Sequence, residues 1–333
     1  MSSPSVPSLD EALVTALVAD AVRAPSMHNA QPWRFRFLRR SGVVQLRADP
    51  QRAMPRSDPD HRGLHLGCGA ALFNLRTAAA HAGFEPETEL LPDPADPWLA
   101  AEVRLVRPVR ADGDDAAALY PAIRRRHTSR LPFTDEEIPE ALLDGLSGCA
   151  VREGARLVFP DPWHVRSVLD LVHDAEGREA ADPAKREETA RWVRTDAAEG
   201  GERAEGIPAY ALGPRQWDVT SPVRDFAGRR PTLGRASAVF EKAPCLGLLG
   251  TAGDARADWL RAGQAMERVL LQATLDGLVA SLTSQALEWP ELRWAVRDPQ
   301  SAMGHVHMVL RLGYGPQGPE TPRRPVSEML DVI

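Results

Sequence analysis

Ala24-Pro25-Ser26-Met27-His28-Asn29-Ala30-Gln31-Pro32-Trp33 lies between a stretch of helical periodicity and a stretch of strand periodicity, and its reading decides the fold. Ahead of it, residues 9–23 place Leu13, Ala16, Leu17 and Ala21 at helical spacing. Pro25 ends that pattern, because proline disfavours helical backbone in the residue before it. Behind it, residues 33–38 and 43–46 read as two strands joined through residues 39–42, with Gly42 in the turn. Pro25, Ser26, His28, Asn29 and Gln31 thus sit in a helix-to-strand loop, where backbone and side-chain donors can point at a planar ligand. Asn and Gln each join a donor to an acceptor, as a uracil-like edge does. The same letters also fit a plain helix-terminating turn held by Ser26 and Asn29.

Outward from this loop, residues 64–82 are rich in Ala and Leu and predict a helix ending at Gly83, a left-handed cap position. Residues 99–106 alternate like a strand. Residues 108–115, with Gly113 and three aspartates, are the candidate linker. Beyond it come a helix over 138–146, a strand over 155–159 and a polar helical region with breaks over 165–193. Residues 195–232 are rich in Gly, Pro and charge without periodicity, which fits a long excursion or lid. Residues 245–249 and 305–312 read as strands and 259–277 as a long amphipathic helix.

A constant offset of 194 superposes Gly69 on Gly263, Ala71 on Ala265, Ala79 on Ala273, Gly83 on Gly277 and Phe84 on Leu278. Two accounts fit: a duplicated unit, or two Ala-rich helices alike because they pack alike. The polar segments are complementary between the two parts. The first has the loop at 24–33, whereas the second passes from Cys149 to Ala155 through a short Val-Arg-Glu-Gly. The second opens with Arg124-Arg-Arg-His-Thr-Ser-Arg130, and nothing like it precedes the first helix. One ligand site shared between two pseudo-symmetric halves would leave this pattern, with one ligand per chain.

The chain has 333 residues, 43% hydrophobic and 26% charged, which is ordinary globular usage with room for a large core. A formal charge of −6 argues against a nucleic-acid surface, since phosphate backbones need an electropositive face. Cys68, Cys149 and Cys245 are too few and too irregularly spaced for a disulfide framework or a metal site. The first ten residues hold no signal segment, and no apolar run is long enough to span a bilayer, so the expected location is the cytoplasm.

Arg126 and Arg130, with Thr128 between them, can clamp a phosphate through charge-assisted bonds, although a solvated basic segment would read the same way. Arg323 and Arg324 form a second basic pair before Pro325. His305 and His307 lie on one face of a strand with no third ligand nearby, and Cys245 sits in an apolar strand where burial would raise its pKa. No Gly-x-Gly-x-x-Gly follows a strand, so a Rossmann dinucleotide site is not supported.

Five segments together resemble the nitroreductase family, most closely its Acg-like branch of fused single-chain flavoproteins: residues 24–35, 126–130, 206–213, 259–268 and 311–315. The resemblance implies an α+β nitroreductase fold in which two diverged halves, 1–110 and 116–333, imitate a dimer within one monomer, with a lid at about 195–232. It also implies bound FMN, reduced by transient NADPH or NADH, and a nitroaromatic, quinone or other conjugated acceptor as small-molecule substrate. The flavin would carry the chemistry, so no catalytic side chain is assigned. Carried over by position, Arg126, Thr128 and Arg130 would hold the phosphate, assisted by Arg323 or Arg324. Pro25, Ser26, His28, Asn29 and Gln31 would meet the ring and ribityl chain from the other half, and Thr283-Ser284-Gln285 would stand where the family's backbone approaches the flavin. Here Ser284-Gln285 replaces the family's glycine-rich approach. FMN storage behind a closed lid, and a biosynthetic flavin-dependent dehydrogenase, are the alternatives.

Overall fold

The computed structural model describes residues 9–106, 115–194, 204–217, 221–226 and 235–333. The alternation of the first strand decides the inner face of its sheet: β1 (Trp33–Leu38) turns Trp33, Phe35 and Phe37 into the core. It pairs antiparallel with β2 (Val43–Ala48) through a turn in which Gly42 adopts φ +67°. Before them, α1 (Glu11–Ala21) is capped by the Asp10 carboxylate, which accepts from Leu13 N at 2.9 Å. After them, α2 (Arg62–His81) ends at Gly83, which takes φ +86° and releases the chain into β3 (Glu85–Leu90) and β4 (Leu99–Val106).

The chain then runs through α3 (Glu140–Arg152), β5 (Arg156–Val158), α4 (Pro162–Ala181) and α5 (Pro183–Arg191). Four two-residue strands follow, β6 (Val193–Arg194), β7 (Ile207–Pro208), β8 (Arg215–Gln216) and β9 (Ser237–Ala238). Next come β10 (Cys245–Thr251), α6 (Arg256–Leu275), β11 (Val279–Thr283), α7 (Pro290–Val296), β12 (His305–Gly313) and β13 (Leu330–Val332). The architecture is α+β, with helices packed on two separate, mainly antiparallel sheets.

The two large sheets share a plan. Read from one edge, the first runs β1-β2-β4-β3 and the second β5-β10-β12-β11, each with a long helix, α2 or α6, after its second strand. Gly83 and Gly277 both end their helices with positive φ. The first sheet has one extra member: β13 lies parallel to β1, with Phe35 opposite Leu330. Helices α2 and α6 cross where Gly69 meets Gly263. A Cβ on Gly69 would stand 2.9 Å from Gly263 Cα and closer still to the Leu260 carbonyl oxygen, and a Cβ on Gly263 would meet Gly69 Cα and the Leu66 carbonyl in the same way. Leu66 and Leu260 are separated by the same 194 residues as the two glycines, so the contact is reciprocal.

Strand β3 has no counterpart among the sequence expectations. Its letters, Glu-Pro-Glu-Thr-Glu-Leu, are mostly exposed at a sheet edge, where charge protects against edge pairing and removes the apolar alternation that reveals a strand. The expected linker at 108–115 lies outside the described residues except for Asp115, and only residues 204–217 and 221–226 of the expected lid are described. Among the described residues no helix is long and apolar enough to cross a membrane.

Candidate functional site

Beside the α2–α6 crossing, Leu66, Gly67 and Met266 form one wall of a cavity of roughly 1080 Å³, the open solvent at its mouth included. The loop after α1 forms a second wall. His28, Asn29 and Gln31 all adopt left-handed backbone, with φ of 50°, 56° and 52°, which costs a residue with a Cβ on the order of 1 kcal/mol each. Hydrogen bonds hold the loop in that shape. Ser26 Oγ accepts from Gln31 N at 2.9 Å, and Asn29 Nδ2 donates to Gly206 O at 3.1 Å and to Pro322 O at 3.2 Å. Gln31 Nε2 donates to Ala204 O at 2.8 Å, while Gln31 Oε1 accepts from Arg324 N at 2.8 Å.

These bonds divide the residues predicted from the loop. Pro25, Ser26, His28 and Asn29 line the cavity, whereas Gln31 does not. The two amides tie the loop to residues 204–206 and to the 321–324 arm, so their polar atoms are engaged by the chain itself. His28 is different. Burial, and then the charge of Arg224, holds its pKa down at about 3, so the ring is neutral, and its Nε2 makes no hydrogen bond among the described residues.

Cations converge at the other end. Arg126, Thr128, Arg130 and Arg323 line the same cavity, while the Arg324 side chain turns away toward Glu328. Arg323 is held by the carbonyls of Val22, Arg23 and Ala24 and by Asn29 Oδ1, and Arg130 by Ala211 O. Neither pairs with a carboxylate among the described residues. Burial depresses the pKa of Arg323 to about 9 and that of Arg130 to about 10, with neighbouring arginines adding to the effect. Arg126 faces the carboxylate of Glu267 across 3.4 Å. Buried guanidinium groups short of negative charge are a donor set for an anion of the phosphomonoester kind, so these residues fit the phosphate of the expected cofactor.

Strand alternation sorts the next predicted segment. Leu282 and Ser284 face the cavity and Gln285 joins them, while Thr283 points the other way and donates to Pro222 O at 2.8 Å. Ser284 Oγ donates to Glu288 Oε1 at 2.9 Å. Glu288 also receives Lys185 Nζ at 2.8 Å and Arg224 Nη1 at 2.7 Å, forming a buried network that Arg224 extends to Glu179 at 2.7 Å. Arg224 and Phe226 belong to residues 221–226, inside the span expected to cover the site. Phe226 packs edge-on against His28, with ring centroids 5.3 Å apart, and under the Arg130 guanidinium.

Arg224 therefore latches this segment down. Arg224→Ala should raise its opening equilibrium by roughly 10- to 100-fold, the equivalent of losing charge-assisted hydrogen bonds. Limited proteolysis within residues 204–226 would show this, and a cleavage rate equal to wild type would contradict it.

Ser57, Asp58, Arg62 and Glu288 also line the cavity and were not found by sequence reasoning. Asp58 caps α2, accepting from Gly63 N and Leu64 N at 2.8 Å each. The Asp-Pro-Asp run before an Ala-rich and Leu-rich helix was the available signal. The same four residues form the shared wall with a second, more open cavity that reaches Trp294 and Arg297. His307 Nε2 lies 2.6 Å from Thr251 Oγ1, and no group of three metal-ligating side chains exists among the described residues. Burial raises the Cys245 thiol to about 11.

No family model matches the chain. A Mycobacterium tuberculosis protein, Rv3131, provisionally named an NAD(P)H nitroreductase, is 34% identical over 329 residues, covering 97% of this chain and 92% of the relative. Acg of the same organism, named in the same way, is 29% identical, covering 96% of each chain. Among solved structures, an FMN and NADPH-dependent nitroreductase from Sphigopyxis sp. strain HMH is 17% identical and covers 64% of this chain and 97% of its own. Its TM-score is 0.39.

Proposed function

Because this chain belongs to the nitroreductase family, we propose that it is an FMN-binding oxidoreductase whose two sheets are diverged halves sharing one flavin site. The observation that carries this reading is the convergence of Arg126, Thr128, Arg130 and Arg323 with Pro25, Ser26, His28 and Asn29 around one cavity beside the Gly69–Gly263 crossing. Bound FMN would supply hydride acceptance from NADPH or NADH and electron delivery to a nitroaromatic, quinone or other conjugated acceptor. The chain's own part is to bind and orient. The arginines neutralise the phosphate, the left-handed loop presents His28, and Phe226 excludes water on the side of residues 221–226. The α2–α6 crossing fixes the two halves at one spacing, which makes a single chain sufficient.

A second reading, FMN held with little turnover, is favoured by the buried Arg224–Glu288–Glu179 latch over the site. Anaerobic addition of NADPH and then NADH to the purified protein separates the two. Bleaching of the flavin absorbance is expected for the oxidoreductase. Persistent bands under both reductants would replace it with storage, and a colourless protein unable to take up FMN would overturn both.

A further inference from the structure

One charged group beside the cavity has no role in the reading above. Glu267 lies in the middle of α6, fully buried, and neither carboxylate oxygen makes a hydrogen bond among the described residues. Arg126 Nε stands 3.4 Å from Glu267 Oε1 and also makes no hydrogen bond, while Arg126 Nη2 donates to Arg23 O at 3.0 Å. Asn74, on α2 and itself fully buried, is the one polar side chain turned to the same carboxylate from that helix among the described residues, close enough to lower its pKa though outside strict hydrogen-bonding geometry. Buried carboxylates are ordinarily well hydrogen-bonded, so one held only by a 3.4 Å ion pair and a loosely placed amide marks a place where charge is adjusted by something else.

Resting on the proposal that the cavity takes FMN, we propose that Glu267 is a positioning residue for Arg126 and takes up a proton as the flavin phosphate is bound. The phosphate-bearing ligand is consequently held less tightly as the pH rises above neutrality. The carboxylate and the phosphate compete for one guanidinium. Burial already pushes Glu267 up to about 7, against the opposing pull of Arg126, Asn74 and Arg323. These are the charged and polar groups that bear on it. Asp20 of α1 is taken by Tyr120 and Arg124, and Arg268 of α6 by Glu153. A dianion at Arg126 raises the carboxyl pKa further, and a group whose pKa is higher in the complex favours binding below its free-state value and opposes it above. The phosphate's own second ionisation, near pH 6, is complete before this range begins.

Titrating the flavin-free full chain with FMN and with riboflavin at pH 7, 8 and 9, followed by flavin fluorescence, tests the proposal. The FMN dissociation constant of the wild type should rise about fivefold or more from pH 7 to pH 9, given at most a tenfold change per unit for one proton. Glu267→Gln should keep no more than the roughly twofold rise that loss of the Arg323 charge contributes and should bind FMN more tightly than wild type at pH 9, and riboflavin, lacking the phosphate, should show no slope with either protein. If Glu267→Gln fails to fold, calorimetry of the wild type at pH 8 in two buffers of different ionisation enthalpy should report net proton uptake per FMN bound. A flat wild-type profile, a slope of about fivefold retained by Glu267→Gln, or zero proton uptake would overturn the role of Glu267 and leave the flavin site standing. Failure of FMN to bind at any pH would overturn the functional reading and this one with it.

Discussion

Gly263→Ala is expected to lose about 3 kcal/mol of stability, at or beyond the upper end of ordinary overpacking. The added methyl would meet Gly69 Cα at 2.9 Å and, closer still, the Leu66 carbonyl, and both are backbone atoms that cannot swing aside. Relief requires α2 and α6 to separate, and these helices carry the centre of the largest hydrophobic cluster. Gly69→Ala should cost a similar amount, because its Cβ meets Gly263 Cα and the Leu260 carbonyl. The double variant should cost less than the sum, since one separation relieves both clashes. Gly145→Ala is the control. It sits within α3 with nothing within 4 Å of its added Cβ, so it should be neutral or stabilising by up to about 1 kcal/mol. Urea midpoints decide the matter, and a Gly263→Ala midpoint equal to wild type would mean that the crossing is not as close as described.

Arg126→Ala should weaken FMN binding by roughly 10- to 150-fold, the worth of a charge-assisted contact of about 1.5–3 kcal/mol. Arg126 is 5% exposed, so water screens it little, which favours the upper figure, while the Glu267 carboxylate that shares its guanidinium favours the lower. Arg126→Lys should recover only part of the loss, because a point charge replaces a planar fork. Riboflavin affinity should change little. Unchanged flavin retention on gel filtration after Arg126→Ala would count against the assignment of the phosphate end.

Much of this was legible because local chemistry dictates it. Pro25 after Ala24 forces the helix to stop, Gly83 and Gly277 end helices by taking the left-handed backbone, and the alternation at 33–38 decides which face Trp33 and Phe35 bury. The 194-residue offset is visible in the letters, but its physical content, two backbones in reciprocal contact, is not. Side-chain direction within the site was the harder part. Gln31 and Asn29 carry the same kind of amide two residues apart, yet Asn29 lines the cavity and Gln31 anchors residue 204 and the arm. Thr283 and Ser284 are neighbours with hydroxyls, and the pleat sends them to opposite sides. Of the two arginines before Pro325, Arg323 reaches the cavity and Arg324 pairs with Glu328 at 3.4 Å. Glu288, Arg224 and Lys185 come from segments far apart in the chain, and nothing local to any one of them announces a shared charge network.

The parallel strand beside β1 has a consequence for how the protein is made. Phe35 pairs with Leu330, about 295 residues later, and Phe35 N donates to Met329 O at 2.6 Å. At roughly 5–20 residues per second, a ribosome would need on the order of 15–60 s to deliver that partner after β1 has emerged. For that interval the outer edge of the first sheet carries unpaired N–H and C=O groups, the usual template for association between chains. The nascent chain is thus exposed to aggregation at the edge that residues 330–332 close, so disrupting that strand would be felt first in soluble yield and only then in the flavin site.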